Sequence, residues 1–110
     1  MGTTESVVAF VTAPSREVAE AIVSDLVERR LVACGNILGG VRSIYRWKGA
    51  VESADEVLVV LKGRAADLAA IGRRVEALHP YEVPELIAFA VAGGLGPYLS
   101  WILDETERSA

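Results

Sequence analysis

An α+β fold is predicted by three features of this 110-residue sequence. Strand-like and helix-like segments follow the order β-α-β-β-α-β-α, Gly39-Gly40 interrupts a long strand pattern, and Lys48-Gly49 separates that pattern from the most strongly strand-like run in the chain. The first segment, Val7-Val8-Ala9-Phe10-Val11, is rich in β-branched residues and apolar on both faces of the pleat, as in a strand inside a sheet. Thr12-Ala13-Pro14-Ser15 breaks it. Ser15 is a good N-cap, Glu17 suits a first turn, and Val18, Ala19, Ile22, Val23, Leu26 and Val27 recur at helical spacing up to Arg29-Arg30. That predicts an amphipathic helix, with Arg29-Arg30, like Arg73-Arg74 later, in a last turn where the macrodipole favours positive charge.

Leu31 to Leu38 reads as extended, Gly39-Gly40 as a bulge or bend, and Val41-Arg42-Ser43-Ile44-Tyr45-Arg46-Trp47 as the strand resumed. Lys48-Gly49 reads as a tight turn into Ala50 to Leu61, giving a hairpin longer than the domain's own core needs. Leu68, Ile71, Val75 and Leu78 mark one face of a second helix from about Arg64 to Leu78. Gly72 weakens it by roughly 1 kcal/mol relative to alanine, so packing holds the helix or the glycine permits close approach to the sheet. Leu86 to Val91 reads as a last strand, and Pro97 opens a short C-terminal helix with Tyr98, Leu99, Trp101 and Ile102. Two β-α-β units joined by a hairpin make a ferredoxin-like split β-α-β sandwich, with both long helices on one face of a four-stranded antiparallel sheet. The opposite face has too little cover for strands that are apolar on both sides, so self-association is expected to bury it.

The length allows one domain, read as residues 7–104 between a flexible N-terminus (1–6) and a C-terminal tail (105–110). Hydrophobic residues make up 52% of the chain, more than a domain of this size can hide alone. A net charge of −4 argues against a nucleic-acid partner, which needs clustered Lys and Arg. The longest apolar run, Val57 to Leu61, is far short of the roughly 20 residues of a membrane span. One cysteine, Cys34, excludes an internal disulfide, and Met1 to Ser6 has no basic n-region. A cytoplasmic protein is expected.

Leu78-His79-Pro80-Tyr81-Glu82-Val83-Pro84-Glu85 holds the single histidine and two of the four prolines. Proline fixes its own φ and pushes the preceding residue towards extended backbone, so the second helix ends near Leu78 and a stiff connector aims Tyr81 and Glu82 in a fixed direction. His79 is a candidate metal ligand or proton-transfer group; closing the helix is its more ordinary role. Cys34 is a candidate thiolate ligand or a small buried hydrophobe. Tyr45 and Trp47 alternate onto one strand face and could line a cleft. Glu56 and Lys62 lie near the two ends of a central strand, as charged groups at a subunit boundary, where Lys62 could attract an anionic ligand or pair with Glu82 or Glu85. Asn36, in an apolar strand, needs partners if buried.

Leu31-Val32-Ala33-Cys34-Gly35-Asn36-Ile37, then Ser43-Ile44-Tyr45-Arg46-Trp47-Lys48-Gly49 with Glu56 and Lys62, then Leu78 to Glu85 closed by Tyr98-Leu99-Ser100-Trp101-Ile102 resemble the CutA family of divalent-cation-tolerance proteins. Thr12-Ala13-Pro14 fits the family's first strand end, and the match runs from about Val7 to Ile102. The resemblance implies a cytoplasmic homotrimer with the long hairpins pairing between chains. It also implies an association with copper tolerance and a Cu²⁺ site. The family's ligand positions correspond here to Val11, Leu78 and His79, of which only His79 can coordinate a metal, and a lone imidazole binds copper weakly. Gly35, Gly39 and Gly63 depart from common family residues and are expected to loosen the second strand and the second helix's start.

No catalytic order of residues emerges. Thr12-Ala13-Pro14-Ser15-Arg16 lacks the glycine an acylphosphatase-type anion loop needs, and there is no Walker loop or HExxH. A non-enzymatic protein is expected. The alternatives are a trimeric module holding a small ligand between subunits at Asn36, Tyr45, Trp47, Glu56, Lys62, Tyr81 and Glu82, or a structural scaffold.

Overall fold

Alternating burial along the first strand sorts the sheet into two faces. Val7, Ala9, Val11 and Ala13 are buried, whereas Val8, Phe10 and Thr12 are only partly covered. In the computed structural model, which describes residues 4–108, the elements are β1 (Ser6–Ala13), α1 (Arg16–Glu28), β2 (Val32–Trp47), β3 (Ala50–Arg64), a 3-10 turn (Ala65–Asp67), α2 (Leu68–Leu78), β4 (Ile87–Ala90) and α3 (Gly96–Glu105). The strands form one antiparallel sheet in the order β2-β3-β1-β4, the expected split β-α-β arrangement. β1 begins at Ser6, inside the segment read as a flexible terminus; residues 1–3 lie outside the described residues. Thr4 donates from its backbone N–H and its hydroxyl to the Val91 carbonyl.

The core lies between the sheet and the two longer helices, with Ala9, Val11, Val59 and Leu61 meeting Ile22, Leu26, Ile71 and Val75. Ser15 caps α1 by accepting from the Val18 N–H at 3.2 Å. The helix ends in a left-handed Arg30 (φ 58°), with the Leu31 N–H donating to Leu26 and the Arg30 N–H to Val27. This is a Schellman closure, here with buried Leu26 and Leu31 as its apolar pair. α2 begins at Leu68, after the 3-10 turn, rather than at Arg64. Because α2 runs on to Leu78, Arg73 and Arg74 fall outside its last turn, and Arg74 instead bridges to Asp25 of α1.

Gly39-Gly40 form a bulge: Leu38 pairs with Leu58 and Val41 with Glu56, leaving two glycines opposite Val57. Lys48 (φ 50°) and Gly49 (φ 83°) make the two-residue turn with positive φ at both positions that matches strand twist. β1 reaches only as far as Val57 on β3, so the hairpin from Val41 to Glu56 projects beyond it. Gly35 and Gly63 do not loosen the fold. A Cβ on Gly35 would lie 2.8 Å from Val23 of α1, and one on Gly63 would lie 2.9 Å from the Leu31 carbonyl oxygen. Both are points of close approach.

α3 crosses one end of the other face. Arg64 donates from Nε to the Thr106 hydroxyl and from Nη2 to the Leu103 carbonyl, and Arg30 donates to the carbonyls of Asp104, Glu105 and Glu107. Two arginines thereby add donors to the last carbonyls of α3 and the residues just after it. Arg108, in the tail, pairs with Asp67. Beyond α3 this face stays open, with Leu38, Ile87 and Phe89 each about half exposed.

Candidate functional site

The proline connector is fastened at three points. His79 takes the extended backbone required before Pro80 (φ −87°, ψ 135°) while its N–H still closes α2 on the Val75 carbonyl. Its ring is buried. Nε2 donates to the Thr12 carbonyl at 2.7 Å, and Nδ1 accepts the Tyr81 N–H at 3.2 Å. That pairing assigns the neutral Nε2–H tautomer. The Tyr81 ring packs on the imidazole, with centroids 4.5 Å apart, and its hydroxyl donates to Glu56 Oε2 at 2.7 Å. Further on, the Thr12 hydroxyl donates to Glu85 at 3.3 Å. Burial, and then the Glu56 carboxylate, push the Tyr81 phenol well above its ordinary value, so it stays a donor.

Between this connector and the base of the hairpin lies an open cleft of about 850 Å³. Tyr45, Trp47, Glu56, Tyr81 and Glu82 line it within the one chain, joined by Glu52 and Glu85. Arg42 is also on its wall, but its guanidinium bonds Asp55 at 3.1 Å and Ser53 at 2.8 Å. Lys48 stands 5.5 Å from the Trp47 ring centroid and 3.5 Å from Glu82, both charges largely exposed. Such a surface pair contributes little. Glu52 was recoverable from sequence: a turn at Lys48-Gly49 sets Tyr45 opposite Glu52. Thr12 and Glu85 meet through tertiary folding, for which no local signal exists.

Asn36 and Lys62 belong elsewhere. Lys62 Nζ donates to Asn36 Oδ1 on the open sheet face. They are not part of the cleft, and Asn36 is exposed rather than buried. Glu82 and Glu85 meet Lys48 and Thr12, not Lys62.

The two candidate metal ligands are also apart. Cys34 pairs across to Lys62, which pairs to Val8, whereas His79 sits at Thr12. Four residues along a strand is about 13 Å. The Cys34 sulfur is instead 4.0 Å from the Tyr98 hydroxyl, whose pKa is raised by burial and then by the thiol. Val11 is fully buried and Leu78 packs against the core. Among the described residues no three His, Cys, Asp or Glu side chains converge as a metal site would require.

Comparison with known proteins adds an independent line. Residues 7–105 match the family described as CutA1 divalent ion tolerance protein. The chain is 46% identical over 99 residues to the divalent-cation tolerance protein CutA of Thermus thermophilus, covering 90% of this chain and 96% of that protein. It is 39% identical over 106 residues to the chloroplastic CutA protein of Arabidopsis thaliana, covering 96% of this chain but spanning only 58% of that longer protein. The crystal structure of CutA from Xylella fastidiosa superposes with a TM-score of 0.91 at 40% identity, covering 94% of this chain and all of that one.

Proposed function

The chain belongs to the CutA1 divalent ion tolerance protein family, and from that premise we propose that it acts without catalysis, as a cytoplasmic homotrimer in the response to divalent metal ions. The observation that supports the assembly is the open sheet face, where Leu38, Ile87 and Phe89 are 46%, 51% and 50% exposed. Apolar residues grouped on a sheet face, together with a hairpin that outruns the sheet, call for a partner surface, and a further copy of the chain supplies it. Light scattering tests this directly. A solution mass three times the 11.7 kDa of one chain is expected, and a well-folded monomer would end the proposal.

Copper, the metal implied by the family resemblance, does not fit the side chains of one chain. Both His79 nitrogens are already engaged, and Cys34 lies about four strand residues away. Titration with Cu²⁺ is expected to give the same affinity for the wild type and His79→Ala. A large loss on substitution would restore His79 as a ligand.

A second reading, a small-ligand module, is supported by the cleft at the hairpin base, with its three aromatic rings and four carboxylates.

A further inference from the structure

We propose that α3 is a strap that opens as a unit while the sheet and the two long helices stay folded, and that a latch of Arg30, Asp67 and Arg108 sets how often it opens. The latch lies at the Ser6–Arg64 end of the sheet, opposite to the hairpin, so the inference is independent of both the cleft and the assembly.

Two residues that break local rules converge there. Asp67 stands at the N-cap of α2, where a carboxylate ordinarily accepts from the helix's own first N–H groups, yet it makes no cap bond. It is 8% exposed, and among the described residues both its oxygens accept from Arg108 alone. Arg30 holds the left-handed position after α1 (φ 58°), where glycine is the usual residue. Its Nη1 donates to the carbonyls of Asp104, Glu105 and Glu107, and its own carbonyl accepts from Arg108 at 2.8 Å. The elements that carry Asp67 and Arg30 do not account for these residues, and the end of α3 with its tail does.

Elsewhere α3 is held weakly. A ten-residue helix is marginal in water by itself, so its order depends on what it docks against. Only Ile102 is buried within it, with Thr106 just past its end, whereas Leu95, Tyr98 and Trp101 at its other end are 80%, 43% and 40% exposed. The arginine bonds that hold it reach only its last turn and the residues after it. On the approach to α3, Ala92, Gly93 and Gly94 are exposed and make no backbone hydrogen bond among the described residues.

A segment with few buried apolar contacts, a free hinge and a polar fastening opens at a lower free energy than the whole fold. Release of Arg108 leaves the withdrawn Asp67 carboxylate without a donor, which is unfavourable, so the pair resists opening. An open strap uncovers the end of the sheet where the Cys34 sulfur meets the Tyr98 hydroxyl.

Hydrogen exchange of the full chain, read by mass spectrometry, tests the proposal. In the wild type, peptides from α3 are expected to exchange faster than those from β1, β3 and α1. Arg108→Gln, which leaves the start of α2 untouched, is expected to quicken α3 exchange by about tenfold or more with the other segments unchanged. Asp67→Asn should act in the same way and add little to Arg108→Gln, because each removes the same pair. Arg30→Gly relieves the left-handed backbone but removes the side chain, so α3 should quicken while the end of α1 keeps its protection. Glu20→Gln, exposed on α1, should alter nothing. Exchange of α3 at the rate of the core, an equal quickening of every segment in Arg108→Gln, unaltered α3 exchange in that variant, or additive effects of Arg108→Gln and Asp67→Asn would each overturn the proposal.

Discussion

Tyr81 donates its hydroxyl proton to Glu56 across 2.7 Å, and that bond joins the proline connector to the base of the long hairpin. Tyr81→Phe keeps the ring against His79 but removes the donor, leaving a 9% exposed carboxylate without its one observed partner. The expected cost is about 1–3 kcal/mol, because a buried group left unsatisfied loses more than the net value of its bond. Urea unfolding checks it. An unchanged midpoint would mean that water replaces the phenol at no cost.

His79 closes the other end of the same connector. His79→Ala strips the Thr12 carbonyl and the Tyr81 N–H of their partners and is expected to destabilise the fold by about 2–4 kcal/mol. Nitrogen NMR should find the proton on Nε2. A ring protonated on Nδ1 alone would contradict the hydrogen bonds described above.

Two glycines, one at a point of close approach and one in open space, make a third case. Gly63→Ala drives a methyl against the Leu31 carbonyl oxygen, 2.9 Å away, whereas Gly39→Ala meets nothing nearer than Arg16 at 3.9 Å. Gly63→Ala is expected to cost about 1–3 kcal/mol, as overpacked sites do, and Gly39→Ala to fall within about 0.5 kcal/mol of wild type. Thermal unfolding separates them, and equal behaviour would show that the strand end yields freely.

Periodicity and turn chemistry made the fold readable. Apolar spacing located both long helices, Gly39-Gly40 marked the bulge, and Lys48-Gly49 set a register that predicts Tyr45 opposite Glu52. Tertiary contacts escaped the reading for a physical reason: an arginine's reach exceeds any local pattern. Arg30 and Arg64 occupy the carbonyls at the end of α3, and Arg74 binds Asp25 on another helix, although simple macrodipole logic placed Arg30 and Arg74 on their own helices. Lys62 does not line the cleft within one chain for a related reason: a strand carries its two ends far apart, and Glu56 and Lys62 are six positions from each other.

Asp25 carries the pH dependence. Arg74 holds it with two bonds of 2.9 Å each, and Arg29 adds one of 3.0 Å. The Arg74 hydrogen bond, opposed by burial and aided by Arg29, lowers the Asp25 pKa below its ordinary 3.8. A carboxylate whose folded pKa lies below its unfolded value binds fewer protons when folded, so its stabilisation is complete above pH 3.8 and is lost as pH falls through the folded value. Asp25→Asn should therefore be less stable than wild type near neutrality, with the gap closing in acid below the ordinary carboxylate range. Because Arg29 and Arg74 are partly exposed, added salt should shrink the gap as well. Stability curves for both proteins against pH decide the matter, and a gap that persists unchanged into strong acid would show that Asp25 acts through packing and not through its charge.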